Sequence, residues 1–404
     1  MGKGRNKNKD KDPFSGPSTR QRDEDSDSDC SFSTHLTFDD DMRSVQGEVD
    51  DVETIMDTLA EHLENASNKN ISVRMSALRL LNLAFTSHYV PEFITKYKCT
   101  LSDLVSKNLK KTDEECVVSA FLLANMSVQI CEEMSEDVAE PLSTMRAIVN
   151  NSARPEMVRS TCALSIAVTA YLSCEEDAIL EDCAKSLKQA WTHLKVNVGS
   201  SKLFSSALTG WALLLQASPR SLQDAVNDYQ KLTAYLHGDQ LDVRVTCGEV
   251  IAYVYELASD SQGENFRFPN HQQIIEAIDG YSNESSKQKT KKDKRVQRYS
   301  FRQIYSCIVD KEPPEVKIKF GRESLSLDSC SKKLFYDLCC DVLHGGMMRH
   351  LESNLQLREY FDLGPIPTQP EKVSKIAKMA FHNDTAKYRN QVRGKQRDKR
   401  SDFY

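Results

Sequence analysis

Apolar residues recur along this chain as a phrase that is written several times. VRMSALRLLNLAF begins at Val73, VVSAFLLANMSV at Val117, VRSTCALSIAVTAYL at Val158, LFSSALTGWALLL at Leu203 and VRVTCGEVIAYVYEL at Val243. Successive starts lie 44, 41, 45 and 40 residues apart. That is the period of HEAT and armadillo repeats, about 40–47 residues built from two or three helices. Other segments are amphipathic: Val52, Ile55, Met56, Leu59 and Leu63 fall on one helical face, as do Leu101, Leu104 and Val105, and later Leu222, Val226 and Tyr229. A helix pair of this length leaves an apolar stripe that only the next pair can cover, so the phrase returns in every layer. The pattern predicts a mostly α chain with a HEAT/armadillo-like α-solenoid over residues 47–280. The phrases are rich in Ser, Ala, Thr and Cys, which lets neighbouring helices approach closely. Arg74, Arg159 and Arg244 stand beside three of the starts. They are expected either to bridge layers by pairing with a neighbouring carboxylate or to stand solvated at a helix start.

Outside the repeats the pattern changes. Residues 1–46 run from basic (Lys3, Arg5, Lys7, Lys9, Lys11) to acidic (DEDSDSD, 23–29) with almost nothing to bury, and read as a disordered leader. Ser26 and Ser28 lie where acidic-directed kinases act, or in a run that only solvates. Residues 281–298 read as a basic linker. Residues 299–370 read as a small α+β region: VKIKF (316–320) and SLSLD (324–328) alternate, a helix follows around Leu334–Leu343, and Gly345–Gly346 breaks the chain. A second helix then carries Met348, Leu351, Leu355 and Leu357 until Gly364–Pro365 stops it. Residues 371–404 read as a basic helical tail whose last stretch, AKYRNQVRGKQRDKR, has almost no apolar face.

Charge sharpens this division. The net charge is −6, yet the tail holds ten Lys or Arg against four Asp or Glu, so residues 1–370 carry −12. The twelve cysteines include no C-x-x-C pair, and Cys162 and Cys174 read as core thiols of a reduced compartment, cytoplasm or nucleus. MGKGRN has Asn6 where a myristoylation signal needs Ser or Thr, and no apolar run looks long enough to span a membrane. No membrane partner is expected.

A search for chemistry finds no phosphate-binding loop, dinucleotide fingerprint, H-E-x-x-H or nucleophile elbow. His344 and His350 near Cys339 and Cys340 have no zinc-ligand spacing, and Glu114–Glu115 and Glu132–Glu133 read as solvated helix faces. The chain is expected to be no enzyme and to hold no cofactor or metal. The positive signal is binding. Lys387, Arg389, Arg393, Lys395, Arg397, Lys399 and Arg400, with Tyr388 among them, form a cluster suited to phosphates. No groove-entering motif accompanies it, so structured RNA fits better than specific DNA. Lys291, Lys292, Lys294 and Arg295 form a second basic patch, either a nuclear-localisation or nucleic-acid signal or an ordinary linker.

Two C-terminal passages resemble the interferon-related developmental regulator family. HGGMMRHLESNLQLREYFDLGP (344–365) is similar to its Gly-x-x-x-His-Leu…Asn…Leu-Arg…Phe-x-Leu-Gly segment, and AKYRNQVRGKQRDKR (386–400) to its closing basic motif. The resemblance implies a non-catalytic regulator of gene expression. It would act as a transcriptional co-regulator beside chromatin-modifying complexes or, alternatively, as a ribosome- or RNA-binding translational repressor. In the second role Lys387, Arg389, Arg393, Arg397, Lys399 and Arg400 would lie in an RNA-lined channel. Gly394 interrupts that helix, at a cost of about 1 kcal/mol relative to Ala. A third reading is a transport adaptor holding cargo on the solenoid's concave face.

Overall fold

The structure is a computed structural model that describes residues 52–217, 219–263, 265–283 and 290–367, together with position 387. Among the described residues, thirteen helices build the array. They are α1 (Val52–Asn65), α2 (Ile71–Ser87), α3 (Pro91–Asn108), α4 (Asp113–Ile130), α5 (Ala139–Val149), α6 (Glu156–Ser173), α7 (Asp177–His193), α8 (Ser201–Leu214), α9 (Pro219–Asn227), α10 (Tyr229–Tyr235), α11 (Leu241–Gln262), α12 (His271–Asn283) and α13 (Lys291–Tyr305). Local signals set where several begin. Asn70 accepts from the Ser72 N–H at the head of α2, Pro91 opens α3, and Thr112 and Glu115 form a reciprocal capping box on α4.

The helices stack in two rows. The repeated phrases are the second row, α2, α4, α6, α8 and α11, each packed on the next, with α1, α3, α5, α7 and the short α9 and α10 as the first row. This is the armadillo/HEAT-like array that the period predicts. Second-row helices are apolar almost all round because they are covered all round: Val158–Ala170 of α6 is buried without exception. The stretch Asp113–Met134 is in fact long and apolar enough to cross a membrane by composition, but 83% of its most apolar window is buried in the array, as a core helix requires. The aromatic centre of the array is Trp191, Phe204, Trp211 and Tyr235, with Trp191 5.2 Å from Trp211 and Phe204 4.5 Å from Tyr235.

The stretch read as a linker is, from Thr290 on, a helix. α12 and α13 form a sixth pair, with α13 continuing the second row against α11. Thr290 caps α13 by accepting from the Asp293 N–H at 3.1 Å, and Gln297, Phe301 and Ile304 are its buried face. Gly248 of α11 makes room for them, since a Cβ there would lie 2.8 Å from Ile304 Cδ1 and 3.2 Å from Phe301 Cε1. The array therefore runs past residue 280 to Tyr305.

The three arginines behave differently from one another. Arg74 bridges layers: it meets Glu115 of α4 at 2.6 Å and donates to the Asn68 carbonyl at 2.7 Å. Glu115, expected on a solvated face, is 1% exposed. Arg159 stays within its own layer, donating to the Val149 carbonyl at 2.8 Å. Arg244 reaches the sixth layer through an amide rather than a carboxylate, with Gln297 Oε1 at 3.0 Å, and lies 5.3 Å over the Tyr281 ring. Other layer contacts use amides, as where Gln129 of α4 donates to the Phe85 and His88 carbonyls, both at 2.7 Å.

Burial pushes the Glu115 carboxyl up, but hydrogen bonds from Thr112 and Arg74 outweigh it and hold it below its ordinary 4.5. On acidification the unfolded chain takes up this proton first, so the pair's contribution is full above about pH 4.5 and is lost progressively as pH falls below that, through the lower folded pKa. Arg74→Met should lower unfolding stability by about 2 kcal/mol at neutral pH, by leaving a buried acceptor short of a partner. The deficit should shrink on acidification, and equal denaturant midpoints for the two proteins at pH 7 would exclude this layer bridge.

Candidate functional site: a clamp across the second row and a basic helix face

After α13 the chain turns back on the array. Strands β1 (Val316–Phe320) and β2 (Glu323–Leu327) form an antiparallel hairpin with Val316 opposite Leu327. Three helices follow: α14 (Cys330–Leu343), α15 (Met347–Ser353) and α16 (Leu355–Tyr360). The second helix expected from the sequence is thus two, divided at Asn354. The stretch read as a small α+β region packs on the array: α14 touches α2, α4, α6, α8 and α11 in turn.

The seating of α14 is both apolar and polar. Leu338, Cys339, Val342 and Leu343 are buried, and Phe335 lies 5.1 Å from Tyr171 of α6 and 5.3 Å from Phe361. At the head of α14, Glu256 of α11 accepts from the N–H groups of Cys330 (2.8 Å) and Ser331 (3.0 Å) and from the Ser331 hydroxyl (2.9 Å). A carboxylate placed there satisfies otherwise unpaired donors and faces the positive end of the helix dipole. Lys333 reaches Glu249 of α11 at 2.9 Å and Asp337 of its own helix at 2.8 Å.

The segment 344–365 supplies the other end of the clamp. The last carbonyls of a helix have no partner within it. Here His350 donates through Nε2 to the Phe85 carbonyl at 3.0 Å, and Asn354 donates to the Val128 carbonyl at 2.8 Å. Those carbonyls end α2 and α4, so one turn of chain reaches two helix ends, at Phe85 adding a second donor to the one Gln129 supplies. Asn354 also caps α16, accepting from the Leu357 N–H at 3.0 Å. Gly346 passes so close to α2 that a Cβ would fall 1.6 Å from the Thr86 oxygen. Arg358, 1% exposed, holds Glu323 through two bonds of 2.9 and 2.8 Å. It also donates to the Leu351 carbonyl (2.7 Å) and the Gly364 carbonyl (2.7 Å), tying hairpin, α15 and the root of the tail together. The Arg358 hydrogen bonds keep the Glu323 carboxyl below its ordinary range.

The tail cluster Arg389, Arg393, Lys395, Arg397, Lys399 and Arg400 lies outside the described residues; Lys387 is at an exposed helical position. The second basic patch is the first turn of α13, with Lys291, Lys292 and Arg295 exposed and Lys294 half-buried. The face continues through Arg298 and Arg302, beside Tyr299, which is 51% exposed. Reading 291–295 as linker hid that continuity. Among the described residues no three His, Cys, Asp or Glu side chains converge as metal ligands would.

A stacked array with its own C-terminal segment clamped across one face defines a helical-repeat scaffold. Residues 26–309 match the family described as interferon-related developmental regulator, and residues 354–401 match the interferon-related protein conserved region. The chain belongs to the interferon-related developmental regulator family. It is 28% identical to interferon-related developmental regulator 2 of Mus musculus over 374 residues, 87% of this chain and 84% of that protein. It is also 28% identical to interferon-related developmental regulator 1 of Homo sapiens over 355 residues, 83% of this chain and 78% of that one. Among solved structures, a designed armadillo repeat protein aligns at a TM-score of 0.42 and 14% identity, over 61% of this chain and 99% of its own.

Burial pushes His350 down from 6.5 to about 4. The geometry agrees: Nδ1 faces the Asn354 amide nitrogen at 3.4 Å, so a proton there would set two donors against each other. The unfolded segment takes this proton near 6.5 and the docked one only near 4. Docking therefore loses stability as pH falls from 6.5 towards 4, by up to about 3 kcal/mol. Amide protection factors in 344–361, taken relative to the intrinsic exchange rate at each pH, should fall between pH 7 and 5, and His350→Gln should flatten that dependence. Gly346→Ala should leave the segment undocked at either pH. Identical protection factors at pH 7 and 5 in the unsubstituted protein would exclude the His350 contact.

Proposed function

We propose that this protein is a non-catalytic regulator of gene expression that engages ribosomes or RNA through its basic tail, with the array as a rigid mount. The observation that carries this reading is the anchoring of the tail's root. Arg358 grips Gly364 and, more distantly at 3.4 Å, Pro365, so the cationic run begins from a fixed point on the body. The ten cations against four anions beyond residue 370 suit phosphates, on a chain that is otherwise acidic. The clamp weakens the adaptor reading, because the second-row face a cargo peptide would use is crossed by α14. A transcriptional co-regulator is the competing role, with chromatin-modifying subunits held on surfaces that the clamp leaves open. Either role has the protein working in the cytoplasm and nucleus.

Sedimentation of full-length protein and of a 371–404 deletion with ribosomes, across a salt series, separates these roles. The full chain should co-sediment in low salt and be released as salt rises, while the deletion stays in the supernatant. Equal sedimentation of both would remove the tail from the mechanism, and no sedimentation of either would favour the co-regulator.

A further inference from the structure

The exposed side of α13 has a composition unlike the rest of the array. Lys291, Lys294, Arg295, Arg298 and Arg302 are spaced by three, one, three and four residues. At 100° per residue they share one arc of about 100° and a length of about 16 Å. Asp293, the only acidic residue of the helix, projects from another side, and Gln297, Phe301 and Ile304 are buried against α11 and α12. Among the described residues no carboxylate pairs with Lys291, Lys294, Arg298 or Arg302. Tyr299 borders the arc, and Gln303 donates to its hydroxyl at 3.0 Å, which steadies an exposed ring.

We infer that this face of α13 is a second RNA-binding surface, one that takes a single strand along its phosphates and stacks one base on Tyr299. The inference rests on the RNA reading of the tail but concerns different residues on a different element. Three physical arguments converge on it. Lys291, Lys294, Arg298 and Arg302 along one arc, on a chain of net charge −6, give local charge complementarity to a polyanion. The helix is already capped and packed, so binding orders no backbone and forfeits little entropy. An aromatic ring beside a cationic track is the pairing by which single strands are held without sequence preference, each base offering a π face. An acidic peptide would answer the charges but would leave the ring unused.

The test measures anisotropy of a labelled 12-nucleotide oligouridylate with full-length protein across a salt series. Arg298→Glu/Arg302→Glu should weaken binding at least tenfold. It should also make the log–log salt slope shallower by about 1.4, since each phosphate contact on a single strand contributes about 0.7. Tyr299→Ala should weaken binding about tenfold with the slope unchanged, as loss of stacking requires. All three side chains point away from the core, so circular dichroism and thermal midpoints should match the parent. Unchanged affinity and slope in the double variant, with binding lost on deleting 371–404, would overturn this inference and leave the tail reading standing. No binding by the full chain would sink both. A polyglutamate competitor as effective as oligouridylate, with no effect of Tyr299→Ala, would reassign the face to acidic protein segments.

Discussion

A helix that is apolar on every side can leave none of them in water. That constraint governs the second row. α6 is buried from Val158 to Ala170 without a gap, so the first row covers one flank, the adjoining layers cover two more, and a further element must close what remains. In this chain that element is α14, which runs across α2, α4, α6, α8 and α11. The docking of the C-terminal region follows from how the repeats are written. Aromatic rings at Tyr171, Phe335 and Phe361 fill the space between array and cover.

The array itself was legible because its signal is additive. Five phrases at a near-constant period point to the same helices, and each predicted start falls in or beside a second-row helix. The sixth layer escaped because α13 keeps the buried spacing (Gln297, Phe301, Ile304) but surrounds it with cations, and a charged helix reads as a linker when composition is weighed before period. The clamp was invisible for another reason. His350 and Asn354 act on carbonyls of Phe85 and Val128, and a backbone acceptor leaves no trace in side-chain identity. Glu115 was misplaced because a paired and capped carboxylate looks in sequence like any other helix-start glutamate.

The passage 344–365 first suggested the family, and its characteristic residues prove to be joinery. Gly346 permits contact with Thr86, His350 and Asn354 satisfy helix ends, and Arg358 gathers hairpin, helix and tail root. They point inward at the chain's own backbone. Surface chemistry is left to the charges, which divide the molecule between a largely acidic body and the basic stretches of α13 and the residues beyond 370.

The His350–Phe85 bond joins positions 265 residues apart. At the usual pace of synthesis, about 5–20 residues per second, the first layers emerge roughly 10–50 s before the segment that covers them. For that interval the nascent chain displays a bare oily surface next to the machine that is making it. Cells that produce this protein must shield that surface, or slow its neighbours, until the last quarter of the chain arrives to close the array.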